Sequence, residues 1–127
     1  MTKEEIIKKY DLKLLLLFGS RARGDARKDS DTDIAFMSGR NLDFNQKAEL
    51  MMDLLPVVKA KETKIDVIDT KTAHPLLLYL IMQDAKVLYT EGMMFFYNLQ
   101  SAAFKKYIEV KPVYEEMYRR LGEYLVS

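Results

Sequence analysis

The sequence predicts an α/β fold of the α+β kind, a small mixed β-sheet of about four strands flanked by helices. Two observations carry this. Four short apolar runs, Leu12–Phe18 and residues 32–37, 63–68 and 86–89, have the length of strands and end near turn-forming or polar residues. Between and after them lie longer segments whose apolar residues recur at helical spacing.

Residues 2–10 read as a short helix. Thr2 caps it, Glu4 and Glu5 suit its positive end, and Lys8 and Lys9 suit its negative end. Leu12–Phe18 is almost wholly apolar and stops abruptly at Gly19-Ser20, as a strand buried on both faces does. Residues 19–30, rich in Gly, Ser, Asp and Arg, should hold a turn and a helical stretch. A second strand over 32–37 is closed by Ser38-Gly39. Residues 45–55 read as a helix with Ala48, Met51, Met52 and Leu55 on one face and Pro56 at its end. Ile65, Val67 and Ile68 supply the β-branched members of the third strand. His74-Pro75 opens a helix through Met82, because proline suits a first helical turn. The fourth strand, 86–89, is closed by Glu91-Gly92, and two helices near 93–107 and 112–125 finish the chain.

A length of 127 residues fits one domain, 1–127, with a core over 1–90 and C-terminal helices over 91–127. The net charge of +1 gives no global basic surface, so a nucleic-acid partner is not expected and any phosphate-binding surface must be local. The chain has no cysteine, which removes thiolate nucleophiles, disulfides and cysteine metal sites and fits a reducing, cytoplasmic setting. The five apolar residues of 14–18 are too few for a signal peptide or a membrane span.

The chemistry is concentrated in Gly19-Ser20-Arg21-Ala22-Arg23-Gly24 and Ser30-Asp31-Thr32-Asp33. Backbone N–H groups at a glycine turn after a strand can point at phosphate oxygens, and a helix starting there adds its positive end. The Ser20 hydroxyl can donate to a phosphate, and Arg21 and Arg23 offer forked cationic donors. Asp31 and Asp33 are two residues apart, so an extended backbone puts them on one face. Asp66 lies among Ile65, Val67 and Ile68, where an unpaired buried carboxylate is costly unless a shared cation supplies the reason. Asp69 is a weaker third acid, because three residues along a strand turn it to the opposite face.

The pattern Gly19-Ser20-x-Ala22-Arg23-Gly24…Ser30-Asp31-x-Asp33, with Asp66 on a later strand, resembles the nucleotidyltransferase superfamily of DNA polymerase β. Within it the chain is similar to the minimal nucleotidyltransferases, the MNT antitoxins of prokaryotic HEPN–MNT toxin–antitoxin pairs. The strong motif spans 19–35, and the looser likeness in element order covers nearly the whole chain. The resemblance implies a polymerase β-like core with C-terminal helices. It implies that Asp31, Asp33 and Asp66 are the catalytic acids and hold two Mg2+ ions, with Asp66 on one of them and helping to deprotonate the acceptor. Gly19 and Ser20 would cradle the triphosphate of ATP, with Arg23 as a further nucleotide-binding residue. The implied acceptor is a tyrosine hydroxyl on a HEPN ribonuclease toxin, which adenylylation silences.

Each feature has a plainer reading. An isolated Asp-x-Asp is usually a turn or a solvated strand end, and Asp66 has the alternative of a structural ion pair with a lysine. Arg27 and Lys28 read as surface charge, Arg21 is evenly balanced, and Arg23 leans to function or to fixing the loop. Gly24 shapes the loop, and His74 is assigned no ligand role. The stripe of Met93, Met94, Phe95, Phe96, Tyr97, Phe104 and Tyr107, continued by Tyr114, Met117, Tyr118, Leu121 and Leu125, divides evenly between core and an interface with a partner or a second copy. Two alternatives stand beside protein adenylylation: an antitoxin that only covers its toxin, and nucleotidyl transfer to a small molecule or RNA.

Overall fold

The computed structural model describes residues 1–27, 30–58 and 64–126. The elements run α1 (Lys3–Lys9), β1 (Leu12–Phe18), α2 (Ser20–Arg23), β2 (Thr32–Ser38), α3 (Phe44–Val58), β3 (Ile65–Asp69), α4 (Pro75–Asp84), β4 (Lys86–Thr90) and α5 (Met93–Val126). The strands form one mixed sheet in the order β3-β2-β1-β4. β1 pairs antiparallel with both β2 and β4, and β2 pairs parallel with β3 through the crossover helix α3.

Local sequence accounts for most of these elements. The Thr2 hydroxyl accepts the Glu5 N–H at 3.2 Å and so caps α1. His74 caps α4 through Nδ1, which accepts the Leu77 N–H at 3.3 Å, and Pro75 follows in the first turn. The apolar run of β1 is explained by its central place, with helices over both faces. Leu15, Ile34 and Phe36 meet Ile6 and Tyr10 at α1 and Leu50 and Leu54 of α3. On the other face Leu14, Leu16 and Ala35 meet Ile81 and Met82 of α4 and Phe96 and Ala103 of α5. A polar tie joins α1 to α3: the Tyr10 hydroxyl donates to Asp53 at 2.5 Å, and Lys9 bridges Asp53 at 2.9 Å and Glu49 at 2.6 Å.

Four expectations are corrected. Helix α3 buries Leu55 as expected and half-buries Met51, but the rest of its buried face is Leu50 and Leu54, while Ala48 and Met52 face solvent. Pro56 does not end α3, which runs on to Val58; an exposed proline within the last turn forfeits one backbone hydrogen bond without stopping the helix. The two expected C-terminal helices are one, because Pro112 lies on an exposed position inside a continuous α5. Ion pairs at helical spacing, such as Lys106–Glu109, Lys111–Glu115 and Glu116–Arg120, support the segment around it. Finally, Asp66 is exposed rather than buried, because β3 is an edge strand and Asp66 is only its second residue. Thr63, Lys28 and the side chain of Leu125 lie outside the described residues.

The C-terminal stripe divides along its length. Phe96 and Ala103 are buried, and Tyr79 of α4 stacks on Tyr107 with ring centroids 4.0 Å apart. Met93, Met94, Tyr97, Val113, Met117, Tyr118 and Leu121 are exposed.

Candidate active site

The expected site residues gather at one end of the sheet. β1 delivers Phe18 in register with Asp33 of β2, and Asp33 is in parallel register with Asp66 of β3. Register partners on adjacent strands project to the same face. Asp31 stands just before β2, two residues from Asp33. Ile34 and Phe36 point to the α3 side, so Asp33 shares the opposite, α4–α5 side with Ala35. Asp69, by contrast, meets Lys47 of α3 at 3.5 Å and caps the turn at the Lys71 N–H, so it is spent on the other side of the sheet.

The electrostatics agree with this convergence. Burial raises the Asp33 carboxyl above its ordinary value, and the Asp66 and Asp31 charges raise it further, with Arg23 pulling the other way. Like charges held this close call for a counter-charge. All three acids offer hard carboxylate oxygens, the donor type that magnesium-like cations take. Among the described residues, no three acid, histidine or cysteine side chains stand together closely enough to hold a metal ion as they lie. What fits a divalent cation is the donor type, carboxylate oxygen, and not a preformed cage.

Beside the acids, Gly19 turns the chain with φ 77°, in the left-handed region that favours glycine. A Cβ there would drive into the Asp33 carboxylate, so only glycine lets the turn lie against the acid. The Gly19 carbonyl accepts the N–H groups of Ala22 and Arg23, both at 3.1 Å, and so starts α2. The Ser20 and Arg21 amides then lie in an open first turn with no intrahelical acceptor. The Ser20 hydroxyl has no hydrogen-bond partner among the described residues. Gly24, at φ 84°, is the left-handed C-cap of α2, as its loop-shaping role requires.

The arginines are already engaged. Arg23 pairs with Asp84 at 2.7 Å and Asp25 at 3.2 Å, which pins the end of α2 to the end of α4. Arg21 donates to the Ser30 carbonyl at 2.7 Å and so fixes the loop just before Asp31. Asp84 escaped the sequence reading. The signal was present: an acid in the last turn of a helix opposes the helix dipole and needs a partner.

The model of the family described as Polymerase beta, Nucleotidyltransferase matches residues 2–92. The protein adenylyltransferase MntA of Aphanizomenon flos-aquae is 29% identical over 122 residues, covering 90% of this chain and 81% of that protein. The protein adenylyltransferase MntA of Shewanella oneidensis is 31% identical over 78 residues, covering 61% of this chain and 54% of that protein. Among solved structures, a chain of a toxin–antitoxin complex with AMP-PNP superposes with a TM-score of 0.78 at 20% identity, covering 93% of this chain and 94% of that one. A chain of the tri-AMPylated Shewanella oneidensis HEPN toxin in complex with MNT antitoxin gives a TM-score of 0.72 at 18% identity, over 93% of this chain and 91% of that one. The fold is that of the polymerase β-like nucleotidyltransferases. With the family match spanning the acids, the glycine turn and all four strands, the chain belongs to the polymerase beta nucleotidyltransferase family and is a nucleotidyltransferase.

Proposed function

We propose that this nucleotidyltransferase moves AMP from ATP to a hydroxyl of a partner protein, a HEPN ribonuclease toxin, and neutralises it as an MNT antitoxin. One observation carries the proposal: Asp33 sits in register with Asp66 and against the Gly19 turn, so acids and phosphate donors share one corner. The names of the two MntA relatives supply the reaction class, and the toxin–antitoxin complexes supply the class of acceptor.

In this reading the chain is one nucleotidyltransferase domain, with a catalytic core over 1–90 and α5 beyond it. Asp31, Asp33 and Asp66 would hold Mg2+, two ions in full occupancy, which supplies Lewis-acid stabilisation of the charge that develops on phosphate. The Ser20 and Arg21 amides and the Ser20 hydroxyl receive the triphosphate, with Gly19 permitting the approach. Arg23 has further donors to lend to a phosphate while Asp84 holds it. Asp66, the most exposed of the acids in β3, takes the proton from the acceptor hydroxyl. The acceptor oxygen bonds to the α-phosphorus, the bond to the bridging oxygen breaks, and pyrophosphate leaves.

A protein acceptor brings its own binding surface, and α5 offers a place for it. Val110, Tyr114, Met117 and Leu121 are spaced four, three and four residues apart, the seam of a helix that packs on another helix. Met117 and Leu121 are exposed. The same stripe serves an oligomer through α5. No described helix is long and apolar enough to cross a membrane. With no cysteine in the chain, we place the reaction in the cytoplasm.

The deciding experiment incubates the protein with ATP, Mg2+ and a candidate HEPN partner, then maps added AMP by mass spectrometry. Parent protein should label a partner tyrosine, and the Asp31→Asn, Asp33→Asn double variant should not. If that variant still silences the toxin, covering alone suffices; label on RNA or a small molecule only would remove the protein acceptor.

A further inference from the structure

We infer a second ligand site, for a phosphate monoester with an apolar body, on the face of the sheet opposite the acids. A cavity of about 610 Å³ opens there between the ends of β1, β2 and β4 and the last turn of α3. That volume is within the ~300–1,000 Å³ usual for small-molecule sites. Among the described residues, its polar lining is Lys3, Arg21, Lys86 and Thr32, with no acid. Leu17 and Val57 belong to its apolar wall.

Two details make this more than a surface dimple. Lys86 stands in register with Leu17 at the start of β4 and has no ion pair or hydrogen bond among the described residues. Thr32 is 4% exposed and lines the cavity, and its hydroxyl has no hydrogen-bond partner among the described residues. A hydroxyl on a cavity wall can both donate to and accept from a ligand oxygen. Arg21 spends one Nη on the Ser30 carbonyl and Lys3 gives one hydrogen bond to the Leu88 carbonyl, so both keep donors for an anion. Three cations lining one cavity favour the doubly charged phosphate over a single carboxylate. The aliphatic wall requires an organic body behind it, which inorganic phosphate lacks.

Thr32 and Asp33 are consecutive strand residues, so the two sites face away from each other and can be filled together. AMP, used with EDTA to keep divalent cations off the acids, is the probe, and calorimetry reads its binding. Binding should weaken about tenfold in Lys86→Glu, weaken similarly in Val57→Phe, which fills the cavity, and stay within about twofold in the Asp31→Asn, Asp33→Asn variant. Inorganic phosphate should bind more weakly than AMP. Should Val57→Phe fail to fold, the exposed Lys86→Glu decides alone. The site is overturned if AMP does not bind in the low millimolar range, if Lys86→Glu leaves binding unchanged, if the acid variant abolishes it, or if inorganic phosphate binds as well as AMP.

Discussion

Gly19 and Asp33 form the tightest constraint in the site. A side chain at Gly19 is opposed twice, by its positive φ and by the carboxylate it would strike. Gly19→Ala should therefore cost about 1–3 kcal/mol of stability and lower nucleotidyl transfer by about a hundredfold or more, since moving a reacting group by an ångström has that effect. Thermal melts and a transfer assay on one preparation check both. Asp33 makes the opposite bargain with stability. Its folded pKa is raised, first by burial and then by Asp66 and Asp31, so the stabilising, protonated form is present below the unfolded value and lost as pH rises through the folded one. At neutral pH the charge is a net cost. Asp33→Asn should raise Tm by about 2 °C, allowing roughly 0.5 kcal/mol for a half-open site. The gain should vanish as the pH falls toward 4, while transfer is abolished at every pH. A variant Tm equal to the parent's at pH 7 would mean that neither burial nor the neighbouring acids penalise the Asp33 charge.

At the scale of elements, α1 is held to α3 by the Tyr10–Asp53–Lys9 cluster. The Tyr10 hydrogen bond, and after it Lys9, holds the Asp53 carboxyl below its ordinary value, so this contribution is present at neutral pH and is lost as acid protonates Asp53 through its lowered folded pKa. Burial and the hydrogen bond to Asp53 push Tyr10 up to about 12. Its contribution is complete below pH 10 and is lost between 10 and about 12, when the unfolded chain ionises first. Tyr10→Phe should cost about 1 kcal/mol at pH 7 and reduce the alkaline loss of stability, measured by denaturant unfolding at pH 7 and pH 11. The same scale separates what local sequence specified from what it did not. The caps Thr2 and His74, and the bounds of β1, follow from nearest neighbours. The face of α3 and the single span of α5 do not, because hydrophobic spacing is ambiguous where Met and Ala mingle with Leu and because an exposed proline is tolerated inside a helix.

For the whole molecule, α5 runs past the body that its first turns pack against. An exposed apolar seam on a long helix is a place for a protein partner. The double variant Met117→Lys, Leu121→Lys should leave the parent Tm within about 2 °C, because both side chains are exposed and stabilise little. It should weaken capture of the proposed HEPN partner at least tenfold, read by surface binding kinetics. Unchanged affinity would move the docking surface off this seam.

The sequence by itself determined the chemistry available and its rough address. A glycine turn after a buried strand, and two acids on alternate strand positions, are local patterns of spacing and are read without knowing the fold. Only tertiary structure decided which distant residues share that address. Strand order and register put Asp66 beside Asp33, turned Asp69 toward Lys47, and brought Asp84 to Arg23. Those pairings depend on hydrogen bonds and packing between segments far apart in the chain, for which a single sequence carries no periodic signal. The burial expected for Asp66 failed for the same reason: whether a strand is central or at an edge is a property of the assembled sheet, not of its own residues.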